Sequence, residues 1–438
     1  MSSSVRPARG MRDFLPQDVR RRRFVIGVVE EVYQRYGFQP LETPALENIE
    51  TLTGQYGDEG SKLMFKVLRR GGHESSGETD LALRYDLTVP LARVVAEHRS
   101  RLPKFFKRYQ IQPVWRADRP ARGRFREFYQ CDVDAIGSRF LVVETELCAA
   151  VADVLLRLGF QDFVIKVNHR RVLSGVLEVC GVPGALHAQA LVALDKMDKV
   201  GPEGVRRELE QRGIGAAAGD LLLSAFGAGS TLEQMKSLLR DRPEPLAGVD
   251  ELEQILTLGA ATSAGPHLRF DPSLARGLSY YTGAIMEIAV PDLAGSLGGG
   301  GRYDGLIGMF LGDAIPACGF SLGLERILVV MGERGLFPPE VDTGVADILV
   351  TLFEGEDIRE VLRLARELRE ANIRVEVYPE PDKLGRQFKY AAAGGIPCVA
   401  VLGSDERARG VVTIKDMKTG EQRALSRTEL IAQLGAPD

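Results

Sequence analysis

An arginine-rich segment in the first third of the chain concentrates side chains that can bind an anion. Five arginines lie within eleven positions of one another: Arg116, Arg119, Arg122, Arg124 and Arg126. Pro120 and Gly123 fall among them and exclude a strand interior. A loop this long and this rich in arginine either remains a solvated charged loop or contacts something anionic.

The residues that follow this loop favour contact with a ligand. Side chains two positions apart in a strand point to the same face. One face carries an aromatic ring, an amide and two carboxylates: Phe128, Gln130, Asp132 and Asp134. A purely structural sheet would be apolar on one face and rich in Lys, Glu or Thr on the other. Short acids beside arginines instead predict the floor of a polar pocket, which would hold a cationic small molecule next to a phosphate.

Two strands must position this pocket floor. Residues 105–115 and residues 126–136 each alternate large apolar and polar side chains. This pattern predicts two antiparallel strands that are joined by the long basic loop.

Two other stretches carry polar residues suited to binding. LALRYDLTV, at residues 81–89, predicts a strand with Asp86 and Thr88 on one face. ARGLSYYTG, at residues 275–283, places Arg276, Tyr280 and Tyr281 in a loop before the strand AIMEIAV.

Glycines and a further arginine follow. SLGGGGRYDGL, at residues 296–306, contains four successive glycines, which either form a flexible turn or let the backbone approach a ligand closely. It is not a P-loop, because no Lys followed by Ser or Thr comes after it. IPACGFSLGLERIL predicts a strand that runs into a helix, with Arg326 near the start of the helix. Because burying an unpaired charge is costly, Arg326 is expected to have a role beyond structure.

Together these stretches resemble the class II aminoacyl-tRNA synthetases, in the form found in histidyl-tRNA synthetases. FKRYQIQPVWRAD and GRFREFYQCDVDAIG closely resemble motif 2. A predicted helix over residues 17–36, followed by FQPLETPALE with Pro44, resembles motif 1, which builds the dimer interface in the family. GFSLGLERIL resembles motif 3. RGLSYYTG and GGGGRYDG are similar to the two histidine signatures, although Ser279 stands where the family usually has Asp.

The resemblance implies a two-step reaction. The carboxylate of L-histidine would attack the α-phosphorus of ATP, giving histidyl-adenylate and pyrophosphate. The 3′-terminal ribose hydroxyl of tRNA(His) would then take the histidine. Neither step needs a protein nucleophile, so positioning and electrostatics would supply the catalysis. Mg²⁺ is expected as a bridge between phosphates, with no protein ligand assigned to it.

The resemblance also implies a histidine site. That site would comprise Asp86, Thr88, Arg116, Gln130, Asp134, Arg276, Tyr280 and Tyr281. Asp86, Thr88 and Gln130 would hold the α-ammonium group, while Asp134 and Tyr281 would read the two imidazole nitrogens. Such a site discriminates well, because a substrate that lacks a nitrogen leaves a buried polar group unpaired.

ATP and tRNA would bind beside histidine. The implied ATP site comprises Arg116, Arg124, Phe128 and Arg326. Phe128 would stack on adenine, and Arg124 and Arg326 would hold the phosphates. Arg116 and Arg276 would be catalytic: Arg116 would bind the carboxylate and the α-phosphate, and Arg276 would stabilise the charge that develops there. Arg119 is expected to contact the acceptor end of the tRNA.

Length and composition limit the number of domains and the classes of function that the chain can have. A chain of 438 residues exceeds one ordinary core, so two or three domains are expected. A net charge of −4 gives no overall signal for nucleic acid, so any RNA contact must use local patches. Five scattered cysteines and five histidines without paired spacing argue against disulfides and a metal cage. The sequence has neither a signal-peptide pattern nor a membrane-spanning apolar run, which predicts a cytoplasmic protein without membrane association.

The predicted fold class is α+β. A class II synthetase antiparallel-sheet catalytic domain would occupy residues 1–169 and 262–332, interrupted by a helical insertion at residues 170–261. A linker at residues 333–344 would lead to a C-terminal α/β anticodon-binding domain at residues 345–438. Short strand–helix alternation predicts a mostly parallel sheet in that last domain.

Some assignments keep two alternatives. The run from Arg20 to Arg23 would form a solvated face or bind RNA, and the insertion would either lean over the acceptor stem or serve packing. Lys383, Arg386 and Lys389 would contact phosphate or stay solvated.

The main rival function is non-catalytic. The regulatory subunit of ATP phosphoribosyltransferase resembles this catalytic domain and binds histidine, but it lacks an anticodon-binding domain and usually loses the catalytic signatures. Here Arg116, Arg276 and Arg326 are all present. A different amino-acid specificity is the second rival, and RGLSYYTG and GGGGRYDG argue against it.

Overall fold

The computed structural model describes residues 5–53, 62–69, 71, 76–227, 229–275, 280–342, 346–353, 355 and 358–435, leaving aside the side chains at 198 and 199. The chain divides into two compact units, Met1–Phe337 and Pro338–Asp438. We call them the first unit and the second unit. Their division falls inside the linker predicted at residues 333–344. None of the helices in the described ranges combines the length and apolar character needed to cross a membrane.

A large antiparallel sheet forms the centre of the first unit. The strands of this unit are β1 (Gln39–Pro40), β2 (Leu46–Asn48), β3 (Lys66–Leu68), β4 (Thr79–Leu83), β5 (Phe106–Trp115), β6 (Glu127–Ile136), β7 (Val164–His169), β8 (Leu268–Phe270), β9 (Ala284–Ala289), β10 (Gly298–Arg302) and β11 (Ala317–Gly323). The large sheet has the order β1-β5-β6-β11-β10-β9-β7-β8, and β2-β4-β3 form a small second sheet. Only the edge pairs β1/β5 and β7/β8 of the large sheet are parallel. This architecture confirms the predicted fold class.

Helices of the first unit pack against this sheet and against one another. They are α1 (Pro16–Arg35), α2 (Ile49–Leu52), α3 (Thr88–His98), α4 (Val142–Arg157), α5 (Arg170–Val179), α6 (His187–Leu194), α7 (Met197–Gln211), α8 (Ala216–Ala225), α9 (Leu232–Leu238), α10 (Pro243–Gly259), α11 (Gly308–Leu311) and α12 (Leu324–Arg334). In α1, Val25, Val29 and Val32 recur at helical spacing and are buried in the main core. Leu147 of α4 and Val330 of α12 join the same core, so these three helices are held to the sheet by apolar contact.

The predicted hairpin is confirmed. β5 and β6 pair antiparallel from Phe106 opposite Ile136 to Trp115 opposite Glu127. The basic loop over residues 116–126 follows directly, and its base is closed by a 2.9 Å hydrogen bond from the N–H of Arg116 to the carbonyl of Arg126.

The strand predicted over residues 81–89 is shorter than expected. β4 ends at Leu83, and α3 begins at Thr88. Pro90 lies in the first turn of α3, where its missing N–H forfeits no helical hydrogen bond, so it helps to start a helix. Asp86 lies in the turn before α3, and its Oδ1 accepts a 3.0 Å hydrogen bond from the N–H of Val89. The prediction that Asp86 and Thr88 share a strand face was therefore wrong.

The four glycines at residues 298–301 form strand rather than a turn. They lie in β10, between β9 and β11. A Cβ on Gly300 would lie 2.2 Å from the carbonyl oxygen of Gly319, and one on Gly298 would lie 2.4 Å from that of Ser321. Side chains at these positions therefore have no room beside β11.

The segment from residue 170 to residue 261 is helical throughout its described part. It contains α5 to α10 and a short 3₁₀ turn at Gly184–Leu186, with no strand among the described positions. A polar contact ties α10 back to β7: Nε2 of His169 lies 3.0 Å from Glu251, which also binds Arg171. The exact bounds of the predicted insertion stay a prediction.

The second unit has its own sheet and core. Its strands are β12 (Ile348–Val350), β13 (Val375–Val377), β14 (Cys398–Val401), β15 (Val412–Asp416) and β16 (Gln422–Leu425). Its helices are α13 (Pro339–Asp342), α14 (Ile358–Glu370), α15 (Leu384–Ala393), α16 (Ser404–Arg409) and α17 (Arg427–Gly435).

The sheet of the second unit has the order β13-β12-β14-β15-β16. β12 to β14 are parallel, whereas β14/β15 and β15/β16 are antiparallel. The expectation of a mostly parallel sheet thus holds for three strands only. The short turn after β15 accounts for the antiparallel β15/β16 pair. The sequence analysis missed α16.

A buried ion pair in the first unit gives a stability prediction. Nε and Nη2 of Arg302 lie 2.6 and 2.8 Å from the carboxylate oxygens of Glu144, and both side chains are buried. Arg302→Met leaves that carboxylate buried and unpaired, so it should lower the free energy of unfolding by about 3–5 kcal/mol in urea titrations. Arg302→Met/Glu144→Met should recover much of the loss. Arg334→Met, which breaks more exposed pairs, should cost at most about 1 kcal/mol. A double variant no more stable than Arg302→Met would contradict this account.

Glu251 gives a pH prediction. Burial raises the pKa of its carboxyl, but the hydrogen bonds and charges of His169 and Arg171 outweigh burial and hold the pKa at about 2. An acid whose pKa falls on folding stabilises the fold at neutral pH and loses that contribution as the pH drops from its unfolded pKa of about 4.5 toward 2. Glu251→Gln should therefore cost on the order of 1–2 kcal/mol at pH 7, allowing for its partial exposure. The difference in Tm between the wild type and Glu251→Gln should decrease below about pH 4.5. A difference that stays unchanged down to about pH 3.5 would contradict the lowered pKa of Glu251.

Candidate active site

A cavity of about 330 Å³ lies on the large sheet. Its walls come from β6, β9, β10 and β11, from the basic loop and from the segments that precede α3 and β9. The lining residues are Asp86, Thr88, Arg116, Asp118, Gly123, Arg124, Phe125, Phe128, Gln130, Leu274, Tyr280, Tyr281, Met286, Glu287, Ser296, Leu297, Gly298, Gly299, Gly300, Ser321, Gly323, Glu325 and Arg326.

The structure brings most of the predicted site residues to this one cavity. Nine of them line it: Asp86, Thr88, Arg116, Arg124, Phe128, Gln130, Tyr280, Tyr281 and Arg326. Segments far apart in the chain thus contribute to one polar space. The individual roles of these residues stay predictions.

Arg116 lines the cavity and is held by several contacts. Its Nε donates a 2.9 Å hydrogen bond to the carbonyl of Tyr85, and its Nη2 lies 3.4 Å from Oε1 of Gln130. The guanidinium group also lies over two rings, 4.4 Å from the centre of Tyr85 and 5.3 Å from that of Phe128. These contacts fix the plane of the guanidinium, so its direction is set before any ligand arrives.

One end of the cavity is rich in groups that accept hydrogen bonds. Asp86 is fully buried, and its Oδ2 accepts a 3.2 Å hydrogen bond from the hydroxyl of Tyr280. Gln130 donates from Nε2 to Oγ of Ser321 at 2.8 Å, which leaves its Oε1 on the side of Arg116. The Tyr280 ring packs edge-on against Tyr281 at 5.1 Å. Burial raises the pKa of the Tyr281 phenol, so this phenol stays protonated and is able to donate.

Asp132 and Asp134 are buried and do not line the cavity. Both are 2% exposed, and Nη2 of Arg108 lies 2.9 Å from Asp134 and 3.9 Å from Asp132. Burial raises the pKa of Asp132 to about 7 against the opposing charge of Arg108, and burial raises the pKa of Asp134 in the same way. Two acids thus share one cation beneath the pocket floor.

Asp134 departs from the expected arrangement. It does not belong to the cavity lining, and its Oδ1 accepts a hydrogen bond from the hydroxyl of Tyr303. Asp134 pairs across the sheet with Gly319, where a Cβ would lie 1.9 Å from Oδ1. The carboxylate occupies the space that glycine leaves empty. Direct contact between Asp134 and an imidazole nitrogen stays a prediction.

The other end of the cavity is cationic. Arg326, in the first turn of α12, donates from Nη1 to the carbonyl of Ser296. Gly123 of the basic loop lies against the Arg326 stem, because a Cβ there would be 3.2 Å from Cγ of Arg326. Arg124 is exposed at the same rim. A loop cation and a helix cation therefore border one opening, as phosphate binding requires.

Besides Asp134, two further predicted residues are not in the described cavity. Arg119 lies in the basic loop, is exposed and does not line the cavity. Arg276, the predicted catalytic cation, lies outside the described residues, as does Ser279. Their roles stay predictions.

Several cavity residues were not predicted from the sequence. Ser321 and Glu287 line the cavity from β11 and β9, and their strands gave no residue-specific signal. Glu325 also lines it and is buried. Its place beside Arg326 in an apolar stretch was a usable signal, because a buried acid needs a partner.

Comparison with known proteins agrees with these features. A family model described as Histidyl-tRNA synthetase matches residues 10–327, and one described as Anticodon binding domain matches residues 348–436. A protein of Porphyromonas gingivalis named histidine–tRNA ligase is 44% identical, over 95% of this chain and 96% of that protein.

Solved structures show the same fold. The histidyl-tRNA synthetase of Nostoc sp. is 29% identical, covers 98% of both chains and superposes with a TM-score of 0.82. A Bacillus halodurans protein described as an ATP phosphoribosyltransferase regulatory subunit/histidyl-tRNA synthetase is 22% identical, with a TM-score of 0.73, over 92% of this chain and 99% of that one. That second likeness bears on the fold alone. From the family models and the full-length relative, the chain belongs to the histidyl-tRNA synthetase family.

Proposed function

We propose that this protein is a histidine–tRNA ligase of class II. It activates L-histidine with ATP and transfers the histidyl group to the 3′ end of tRNA(His). The observation that carries the proposal is one cavity whose lining combines the Asp86 carboxylate and the Gln130 amide with three arginines, Arg116, Arg124 and Arg326. Such a cavity is suited to an amino acid whose carboxylate meets a nucleotide phosphate.

In the first step, an oxygen of the histidine carboxylate forms a bond to the α-phosphorus of ATP. The bond from that phosphorus to the bridging oxygen breaks, and pyrophosphate leaves. Arg116 binds both reacting groups and offsets their mutual repulsion, since its guanidinium is already held by Tyr85 and Gln130. Arg276 is proposed to stabilise the charge that builds up at the α-phosphorus.

The amino-acid end holds the α-ammonium group. Asp86 supplies a buried negative charge, and Thr88 and Gln130 supply oxygen acceptors close by. Tyr281 donates its phenolic proton to one imidazole nitrogen. We propose that Asp134 fixes the Tyr303 hydroxyl through Oδ1 and reads the other imidazole nitrogen.

The nucleotide end holds ATP. The Phe128 ring offers a stacking surface for adenine beside the Arg116 guanidinium. Arg124 and Arg326 bind the phosphates from the loop and from the helix. Glycines in β10 keep the cavity wall flat, so the ligand approaches the backbone directly.

Mg²⁺ is proposed to enter with ATP. The described residues hold no group of three or more acidic, histidine or cysteine side chains arranged for a metal, whereas Mg²⁺ typically takes most of its ligands from phosphates and water at such sites. Asp118 and Glu287 line the cavity, and carboxylate oxygens are ligands that Mg²⁺ prefers. When bound, the ion would neutralise phosphate charge.

In the second step, the ribose hydroxyl at the 3′ end of tRNA(His) attacks the activated carbonyl, and AMP leaves. Arg119 is exposed in the basic loop and is proposed to contact the acceptor end. The second unit, which matches the anticodon-binding model, is proposed to bind the anticodon region.

We also propose a cytoplasmic homodimer. All five cysteines are free, as expected in a reducing compartment. Phe105 and Phe140 expose 60% and 80% of their side chains near Gly137, and exposed aromatic residues of this kind favour a partner surface.

Pyrophosphate exchange tests the proposed function. The unmodified protein is incubated without tRNA in the presence of ATP, labelled pyrophosphate and each of the twenty amino acids in turn. Exchange should occur with histidine, at least about 100-fold above any other amino acid, because a missing ring nitrogen leaves a buried donor unpaired. Histidine binding without exchange would favour the regulatory rival and refute the proposed ligase.

Arg276→Ala tests the catalytic assignment. If Arg276 stabilises the developing charge, the exchange rate should fall by about 10³-fold or more while circular dichroism and histidine binding stay measurable. Arg122→Ala is the matched control, because Arg122 pairs with Glu333 on the surface and is outside the proposed site. An exchange rate near the wild-type value in Arg276→Ala would show that the assignment is wrong.

A further inference from the structure

A buried ion pair lies behind the nucleotide end of the cavity. Arg22 in α1 and Glu325 in α12 approach to 2.7 Å between Nη1 and Oε1. Their side chains are only 8% and 2% exposed. The alternatives of a solvated face and RNA binding for Arg20 to Arg23 therefore both fail at Arg22, which is withdrawn into the protein, although Arg23 is exposed.

The second oxygen of Glu325 holds the strand that carries the ligand residues. Its Oε2 accepts a 2.9 Å hydrogen bond from the N–H of Tyr129. The pairing of β6 with β11 ends at Gln130 opposite Gly323, so Tyr129 lies one residue beyond the ladder. The Glu325 carboxylate thus takes the place of a missing strand neighbour. An unpaired N–H at this position would otherwise cost free energy.

Aromatic rings fix the guanidinium of Arg22 on two sides. Its centre lies 4.0 Å from the ring centre of Phe14 and 4.7 Å from that of Tyr129. Arg12 lies 3.5 Å from the ring centre of Phe125 in the basic loop and 4.8 Å from that of Phe14. The segment before α1 is therefore linked to both the loop and β6. Arginine, with its planar charge, suits such stacking better than lysine does.

The residues next to this contact are the proposed nucleotide ligands. Tyr129 follows Phe128, which would stack on adenine, and Glu325 precedes Arg326, which would bind phosphate. A shift of Glu325 would move both neighbours, because one hydrogen bond joins the Glu325 side chain to the Tyr129 backbone.

We propose that Arg22 is a positioning residue for ATP: by holding Glu325 against Tyr129, it aligns Phe128 and Arg326 at the nucleotide end of the cavity. The inference rests on the proposed function for the identity of the nucleotide. Arg22 itself does not line that cavity; it lines a separate one of about 220 Å³, together with Glu325.

Binding measurements on the full chain separate this role from general stability. ATP and histidine are titrated separately by calorimetry into the wild type, Arg22→Met, Arg22→Lys and Arg23→Met. Methionine keeps an apolar stem between the two rings but removes the charge. Arg23→Met is the matched control, because Arg23 is the exposed neighbour in the same helix.

Arg22→Met should weaken ATP binding by about 10- to 100-fold, the scale of a small misplacement of binding groups. Histidine affinity should stay within about twofold, because Gln130, the histidine ligand next to Tyr129, is held independently by Ser321 and by its pairing with Gly323. Arg22→Lys should restore part of the ATP affinity, and Arg23→Met should leave both affinities within about twofold.

A double variant tests the route through Glu325. Once Arg22→Met has released the carboxylate, adding Glu325→Gln should change ATP affinity little further, so the two effects should be far from additive. Equal losses of ATP and histidine affinity in Arg22→Met, or unchanged ATP affinity, would overturn the proposal.

The test is independent of turnover. If the wild type binds ATP, loses that affinity in Arg22→Met, and yet shows no histidine-dependent exchange, the positioning role stands and the ligase function fails. If the wild type exchanges normally and Arg22→Met binds ATP normally, the ligase function stands and the positioning role fails. No ATP binding by the folded wild type would overturn both.

Discussion

A buried guanidinium group needs an acid or a hydrogen-bond acceptor as its partner, and this requirement determines many contacts of the first unit. Among the residues that the structure describes, three buried arginines form ion pairs with acids from other segments: Arg108 with Asp134, Arg302 with Glu144 and Arg22 with Glu325. Arg84, which is 2% exposed, instead donates to backbone carbonyls, at 2.8 Å to that of Pro113 and 2.6 Å to that of Thr43. Removing one partner of such a contact destabilises the fold by more than the intact pair stabilises it relative to apolar residues of similar volume. These contacts therefore specify which strands and helices meet, in addition to the stability that the apolar core supplies.

The same contacts connect the fold to the proposed chemistry. Glu325 faces the cavity, yet it is held by Arg22 and by the backbone of Tyr129. Asp134 lies under the pocket floor and fixes the Tyr303 hydroxyl. Because neither step of the proposed reaction uses a protein nucleophile, catalysis depends on ligand groups being held in place before the substrates arrive. A layer of buried polar contacts beneath the cavity is the physical means by which this sheet can hold them.

Local patterns in the sequence were sufficient to predict part of this arrangement. The period-two alternation on both sides of the basic loop predicted β5, β6 and a shared face. Helical spacing predicted α1, and the stretch IPACGFSLGLERIL predicted a strand that runs into α12. The sequence pattern did not predict where β4 ends and α3 begins, because Pro90 suits the first turn of a helix as well as the end of a strand. The sequence also did not predict which residues of a strand face line the cavity. Phe128 and Asp134 share a strand face, but only Phe128 lines the cavity. Burial along a strand depends on the partners set by long-range register, which one sequence read alone does not contain.

Gly319 has a consequence for how this site is able to change. Its missing side chain leaves the space that the Asp134 carboxylate fills, and even a methyl group there would lie 1.9 Å from that carboxylate. Substitutions at positions 134 and 319 therefore depend on each other, although the two residues lie 185 positions apart in the chain. A larger residue at 319 is admissible only after the acid has gone, and with the acid gone Arg108 is left without its nearest partner. The floor of the pocket is thus held by three mutually dependent positions, and any route to a different specificity through this floor must alter them together.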